Sequence, residues 1–327
     1  MARQSTEEIK KYKKIFDNIK KELSKVVIGQ EKVIEGLIRS LVSNGHTLIE
    51  GVPGIAKTLI IRALAQTTGC KFSRIQFTVD LLPTDILGLT TYDNRKKSFS
   101  VIKGPVFANF IIADEINRAS PRTQSALLEA MQERQVTIGK RTYSLDSPFL
   151  VMATQNPIES AGVFNLPEAQ VDRFLFKIRI FYPSPKEEQQ ILSNNMTLKK
   201  FEDYNIKSIT TPAQLIRAQK FVNKIYINQD LEDYIVRIVN ATRENDKFKF
   251  GKYVEYGASP RASIGMFIAA KADALLQGKN YVTPQNIKRV AHDVLRHRII
   301  LNYEGQAENI SSDEFIDEVL SKVPIPW

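Results

Sequence analysis

The sequence predicts an α/β domain with a parallel, doubly wound sheet, followed by a mostly α-helical second domain. Three observations carry this. Residues 46–50, 72–77, 110–114, 149–153 and 174–180 are short apolar runs with little polar alternation, as strands covered on both faces require. Helical stretches separate them, which implies parallel pairing. After Pro183 the strand signal stops, and helix starts of the form Ser/Thr-Pro recur.

The elements follow in order. Residues 1–25 read as a helix, with Ile9, Tyr12, Phe16, Ile19 and Leu23 recurring at spacings of three and four. Lys10, Lys11, Lys13, Lys14, Lys20 and Lys21 lie opposite and read as a solvated face. A membrane-surface or RNA-binding helix is the alternative, weakened by Asp17 and Glu22. The strand at 46–50 leads through a glycine-bearing loop into a helix from about Lys57 to Thr67. Ser120 caps a helix that opens on Pro121 and turns Ala126, Leu127, Ala130 and Met131 inward. Two segments decorate the sheet as insertions. Residues 80–107 hold Gly88, Gly104 and the basic patch Arg95-Lys96-Lys97, and residues 135–146 read as a hairpin turning at Gly139-Lys140.

Tyr182-Pro183-Ser184-Pro185 is a proline-rich stop. Beyond it, helices start at Ser184-Pro185, Thr211-Pro212, Ser259-Pro260 and Thr283-Pro284, with capping boxes from Ser184 to Glu187 and Thr211 to Gln214. The organisation is therefore an N-terminal helix at 1–25, a core at 26–183 and a helical domain at 184–327 in which no strand is expected.

The chain has 327 residues, of which 43% are hydrophobic, ample for two cores. One cysteine, Cys70, leaves no intramolecular disulfide framework and suits a reducing compartment. No apolar run reaches the roughly 18 residues of a membrane span, and the lysine-rich start is unlike a signal peptide, so a cytoplasmic protein is expected. Three histidines and one cysteine do not make an ordinary N/S metal site. The net charge of +10 suits a polyanion binder or a nucleotide enzyme without choosing between them.

The chemistry concentrates in Gly51-Val52-Pro53-Gly54-Ile55-Ala56-Lys57-Thr58, between strand and helix. Phosphate needs converging backbone N–H donors at a helix N-terminus, which such a loop provides. Lys57 supplies a point cation for the β- and γ-phosphates, and the Thr58 hydroxyl a ligand for Mg²⁺. Ala56 stands where the motif usually has glycine, implying a backbone that tolerates a Cβ there. The strand at 110–114 ends in Asp114-Glu115. Asp114 falls at the carboxyl edge of the sheet, suited to holding Mg²⁺ through water, and Glu115 is suited to polarising the attacking water. The strand at 149–153 delivers Gln155-Asn156-Pro157 to the same edge, where Asn156 can hydrogen-bond the γ-phosphate or align the water. Arg173 precedes the fifth strand. Arg261 falls in the first turn of a helix, where a cation is unfavourable unless an anion, such as a nucleotide phosphate, is close.

These segments resemble the AAA+ ATPases and, within them, the MoxR family. The match lies in residues 51–58, 112–119, 124–136, 153–157, 166–174 and 257–261. The resemblance implies a P-loop NTPase αβα core with a five-stranded parallel sheet and a helical lid, binding ATP and Mg²⁺ and hydrolysing ATP. It implies that Asn156 is sensor 1, Arg261 sensor 2 and Arg173 an arginine finger acting on a neighbouring subunit. It makes 80–107 the helix-2 insert, 135–146 the pre-sensor hairpin, and Val26-Val27-Ile28-Gly29-Gln30 the adenine-contacting segment, with Ile28, Gly29 and Leu59 in the nucleotide site. Such proteins form rings, usually hexamers, and remodel protein clients, often with partners bearing a von Willebrand factor A domain. The rival function is a nucleic-acid motor or loader. Its support is the charge and the loop Lys247-Phe248-Lys249-Phe250-Gly251-Lys252-Tyr253, whose aromatics could stack bases. That loop reads more simply as solvated, and no nucleic-acid-binding motif accompanies it.

Overall fold

The structure is a computed structural model describing residues 2–94, 97–156, 163–193 and 200–326. Arg95, Lys96 and Pro157 lie outside the described residues. Helices α1 (Ala2–Leu23) and α2 (Glu31–Val42) precede strand β1 (Thr47–Gly51). Then come α3 (Lys57–Thr68), β2 (Phe72–Gln76), α4 (Pro83–Leu87), β3 (Gly88–Asp93), β4 (Ser98–Lys103) and β5 (Phe110–Asp114). Next are α5 (Pro121–Glu133), β6 (Gln135–Ile138), β7 (Arg141–Ser144), β8 (Leu150–Gln155), α6 (Glu168–Val171) and β9 (Phe176–Ile180). The remainder carries α7 (Pro185–Ser193), α8 (Pro212–Val222), α9 (Gln229–Ala241), β10 (Val254–Tyr256), α10 (Pro260–Leu276), α11 (Pro284–Leu295), β11 (Ile300–Leu301), α12 (Tyr303–Ala307) and α13 (Ser312–Lys322).

Strands β2, β5, β8, β1 and β9 form, in that order, a five-stranded parallel sheet. Successive side chains leave opposite faces. Ile49, Ile112, Met152 and Ile178 join one core with α1, α2 and α3, while Leu48, Ile111, Ala113 and Val151 join a second with α5. The helical lid shares the first core through Met266, Val290 and Phe315. The apolar stripe of α1 is buried there, and Tyr12 tilts against Phe221 of α8 at a centroid distance of 5.2 Å.

Several boundaries move. The fifth strand starts at Phe176 rather than at 174, because the Phe174 N–H turns back to the Val171 carbonyl and the Leu175 N–H joins the His46 carbonyl. The first strand starts at Thr47, since the His46 ring is used as a hydrogen-bond bracket between Met131 and Val151. Helix α2 was not anticipated. The segment 80–107 is more regular than its turn-rich sequence suggests: α4 is followed by the antiparallel β3–β4 hairpin. Gly88 permits this closure, because a Cβ there would lie 2.2 Å from the Ile102 carbonyl oxygen.

The strand-free expectation for the second domain is corrected by the antiparallel pair β10 and β11. Strands of three and two residues are too short to leave a period in the sequence. The 247–253 loop is not a solvated lid loop either. Phe248 packs edge-on against Phe315 at 5.7 Å, Tyr253 is buried, and the Lys249 and Phe250 N–H groups donate to Glu318.

Candidate nucleotide site

The phosphate loop leaves β1 at Gly51, where a Cβ would press on the Ile55 side chain at 2.6 Å and on the Ile180 carbonyl oxygen at 2.9 Å. Gly54 has φ +83° and Ala56 φ +60° before α3 begins at Lys57. The expectation for Ala56 is therefore corrected: its backbone lies in the left-handed region that favours glycine. Ala56 is exposed, and a residue with a Cβ in that region carries a strain of about 1 kcal/mol. The Lys57 ammonium donates to the Gly51 carbonyl at 2.5 Å, folding back over the loop it serves.

Asp114 and Thr58 meet at the carboxyl edge of the sheet, the Thr58 hydroxyl donating to Asp114 Oδ2 at 3.2 Å. A hydroxyl and a carboxylate oxygen placed together fit a hard divalent cation such as Mg²⁺. Thr154 donates to Asp114 Oδ1 at 2.6 Å and accepts from the Glu115 N–H at 2.9 Å, tying the two acids to β8. Glu115 itself has φ +55°, which turns the chain sharply after β5. Arg74 of β2 donates from Nε and Nη2 to Asp114 Oδ2, at 3.1 and 2.7 Å. Its Nη2 also reaches Gln76 Oε1 at 2.6 Å, and Gln76 Nε2 donates to Glu115 Oε2 at 2.9 Å. Burial pushes the Asp114 carboxyl up, but hydrogen bonds from Thr154, Arg74 and Thr58 outweigh it and hold it below the usual carboxylate range.

Arg74, Gln76 and Thr154 were missed by the sequence reading. A usable signal was the polar pair two apart at the end of an otherwise strand-like run, on the strand beside the acidic one. Asn156 is buried directly after β8, at the same sheet edge as Asp114. Ile28, Gly29 and Gln30 lie against the joint between sheet and lid. A Cβ on Gly29 would collide with Glu187, and Gln30 Nε2 donates to the Phe181 carbonyl at 2.7 Å.

Arg173 and Arg261 are brought together, but not here. Both line a cavity with His46, Met131, Asp172 and Arg298. That cavity sits where β1 and β9 begin, the sheet edge opposite the phosphate loop. Five residues of strand separate the two edges by about 15 Å. The anion beside Arg261 is Asp172, at 3.2 Å, and not a phosphate of its own chain. Asp172 also receives the Ser259 hydroxyl at 3.0 Å and Arg298 Nε at 2.8 Å. Arg298 is 2% exposed and donates further to the carbonyls of Phe174, Leu175 and Val294. Arg298 and Asp172 left no recognisable sequence signal, because the pair they form spans 126 positions.

A phosphate loop opening a helix, paired acids at the end of the strand one removed from it in the sheet and a helical lid are the parts of a P-loop ATPase. Comparison with known proteins gives the particular kind. The model of the ATPase family associated with various cellular activities (AAA) matches residues 46–176, and the AAA lid domain model matches residues 250–319. Chaperone MoxR1 of Mycobacterium tuberculosis is 48% identical over 93% of this chain and 81% of its own length. Protein MoxR of Paracoccus denitrificans is 31% identical over 95% and 96%. A solved crystal structure from Cytophaga hutchinsonii superposes with a TM-score of 0.91 at 45% identity, covering 100% of this chain and 99% of that one. The chain belongs to the MoxR family of AAA+ ATPases, and its activity is ATP hydrolysis. Among the described residues no helix is long and apolar enough to cross a membrane.

Proposed function

We propose that this ATPase is Mg²⁺-dependent, works as a ring, with six subunits the expected number, and converts hydrolysis into remodelling of protein clients. Thr58 and Asp114 hold Mg²⁺, which when bound neutralises charge on the phosphates. Lys57 binds the β- and γ-phosphates. Glu115 takes a proton from the attacking water as its oxygen bonds to the γ-phosphorus and the bond to the ADP oxygen breaks. Asn156 aligns that water. Ile28 and Gly29 face the base.

The observation that carries the ring is the shared position of Arg173 and Arg261. Both cations lie at the edge remote from their own phosphate loop, so they can meet a nucleotide only across a subunit boundary. Arg261 is then a second trans-acting cation beside Arg173, rather than a sensor within its own subunit. The name chaperone borne by the Mycobacterium tuberculosis relative supports client remodelling, and a partner with a von Willebrand factor A domain is in keeping with the family. Nucleic acid is a poor fit, since the 247–253 aromatics are turned into the lid.

The test is mixing. Arg173→Ala and Lys57→Ala subunits should each be nearly inactive alone. Each assembly lacks one essential cation at the developing phosphoryl charge. Co-assembled, some boundaries pair an intact phosphate loop with an intact arginine, and part of the turnover should return. Mixed oligomers with no recovered ATPase activity would remove Arg173 from the site.

A further inference from the structure

Glu50 is the last side chain of β1 before the phosphate loop. Its carboxylate is held by Lys177 at 2.5 Å and by Arg179 at 3.2 Å, both from β9, where Arg179 stands directly opposite Glu50 in register. Burial pushes the Glu50 carboxyl up, and these two cations bring it below its ordinary range. Arg179 does not stop there: its Nη1 lies 3.2 Å from Asp313, in the first turn of α13.

The alternation of sign continues. Asp313 takes Arg296 Nε at 3.0 Å, and Arg296 Nη1 reaches Asp293 at 2.9 Å and the Lys177 carbonyl at 2.7 Å. Arg39 of α2 donates to Asp293 at 3.1 Å, and its Nε to Asp273 of α10 at 3.1 Å. The side chains along this path are between 6 and 29% exposed, so solvent screens them less than surface pairs. Desolvation makes a buried pair weak evidence for stability, and fixing geometry is its better-attested use. The path's geometry is directional. It starts one residue from Gly51, passes through Arg179, and ends on the lid.

We propose that Arg179 is a positioning residue that couples the nucleotide site to the lid through α13. A shift of Gly51 on nucleotide binding moves Glu50, Arg179 carries it to Asp313, and the docking of α13 in turn biases the phosphate loop. Such coupling is reciprocal. The proposal rests on nucleotide binding at residues 51–58.

Hydrogen exchange on the full chain tests it, with and without saturating Mg²⁺-ADP. In the parent, ADP should slow exchange in α3 and, by about fivefold or more, in α13. In Arg179→Ala, α3 should still respond while the α13 response is lost and ADP affinity falls by the same factor. Arg179→Lys should be intermediate. Asp313→Asn should reproduce the loss, and it decides the matter if Arg179→Ala does not fold. A parent whose α13 ignores ADP while α3 responds would overturn the coupling, as would variants that keep the full α13 response. An α3 that ignores ADP would instead remove the nucleotide site at 51–58, and the coupling with it.

Discussion

Arg74 grips Asp114 at 2.7 Å, on the same carboxylate oxygen that the Thr58 hydroxyl approaches. A guanidinium therefore stands where the hydroxyl–carboxylate pair would receive a divalent cation. Without nucleotide, Arg74 is the principal charge partner of a buried acid. Arg74→Gln should lower stability by about 1–2 kcal/mol, discounted because Arg74 is itself half exposed. Saturating Mg²⁺-ADP should narrow that deficit, since the metal replaces the lost cation. Thermal melts of both proteins with and without Mg²⁺-ADP check this, and an unchanged deficit counts against it.

Lys57 and Glu115 should separate binding from turnover. Lys57→Ala removes a ground-state phosphate contact, so a fluorescent nucleotide should no longer bind tightly. Glu115→Gln removes only the proton acceptor, so binding should persist while turnover falls by roughly 10²–10⁴-fold. Parental turnover in Glu115→Gln would end the assignment of Glu115 as general base.

Arg298 should be among the most sensitive positions in the chain. Its removal strands the Asp172 carboxylate and the Phe174, Leu175 and Val294 carbonyls at a buried site. Arg298→Ala should cost about 3–5 kcal/mol, and Arg298→Lys should recover little, because an ammonium cannot reproduce the planar fork. Denaturant midpoints of the two variants decide this.

His46 should set part of the acid limb of stability. Burial lowers its pKa to about 4, with the charge of Arg134 acting the same way. The unfolded imidazole titrates near about 6.5, so between these values the unfolded chain binds more protons. The contribution is fully present above pH 6.5 and is lost as pH falls toward 4, at most about 3 kcal/mol. His297 is buried and its pKa is likewise lowered, so it acts in the same direction as pH falls. His46→Gln should flatten, without abolishing, the loss between pH 7 and pH 4.5 in chemical denaturation. An identical slope in the two proteins would show that His46 does not contribute.

Much of the candidate site was legible in the sequence because its parts are local. A phosphate loop is eight consecutive residues whose backbone does the binding. The acids at 114 and 115 are marked by the apolar strand they end, and the helix starts at 121, 185, 212, 260 and 284 are written in a cap and the proline beside it. Period and turn chemistry are properties of neighbours, so a single sequence displays them. Tertiary structure alone decided which distant groups share a charge. Arg74 meets Asp114 from 40 positions away, Arg298 meets Asp172 from 126, and Arg179 meets Asp313 from 134. An isolated arginine reads as a solvated one, because its partner is set by strand order and lid docking rather than by spacing along the chain. The same holds for Arg261. Its first-turn position asked for an anion, and the order of strands in the sheet made that anion Asp172, at the edge away from its own phosphate loop.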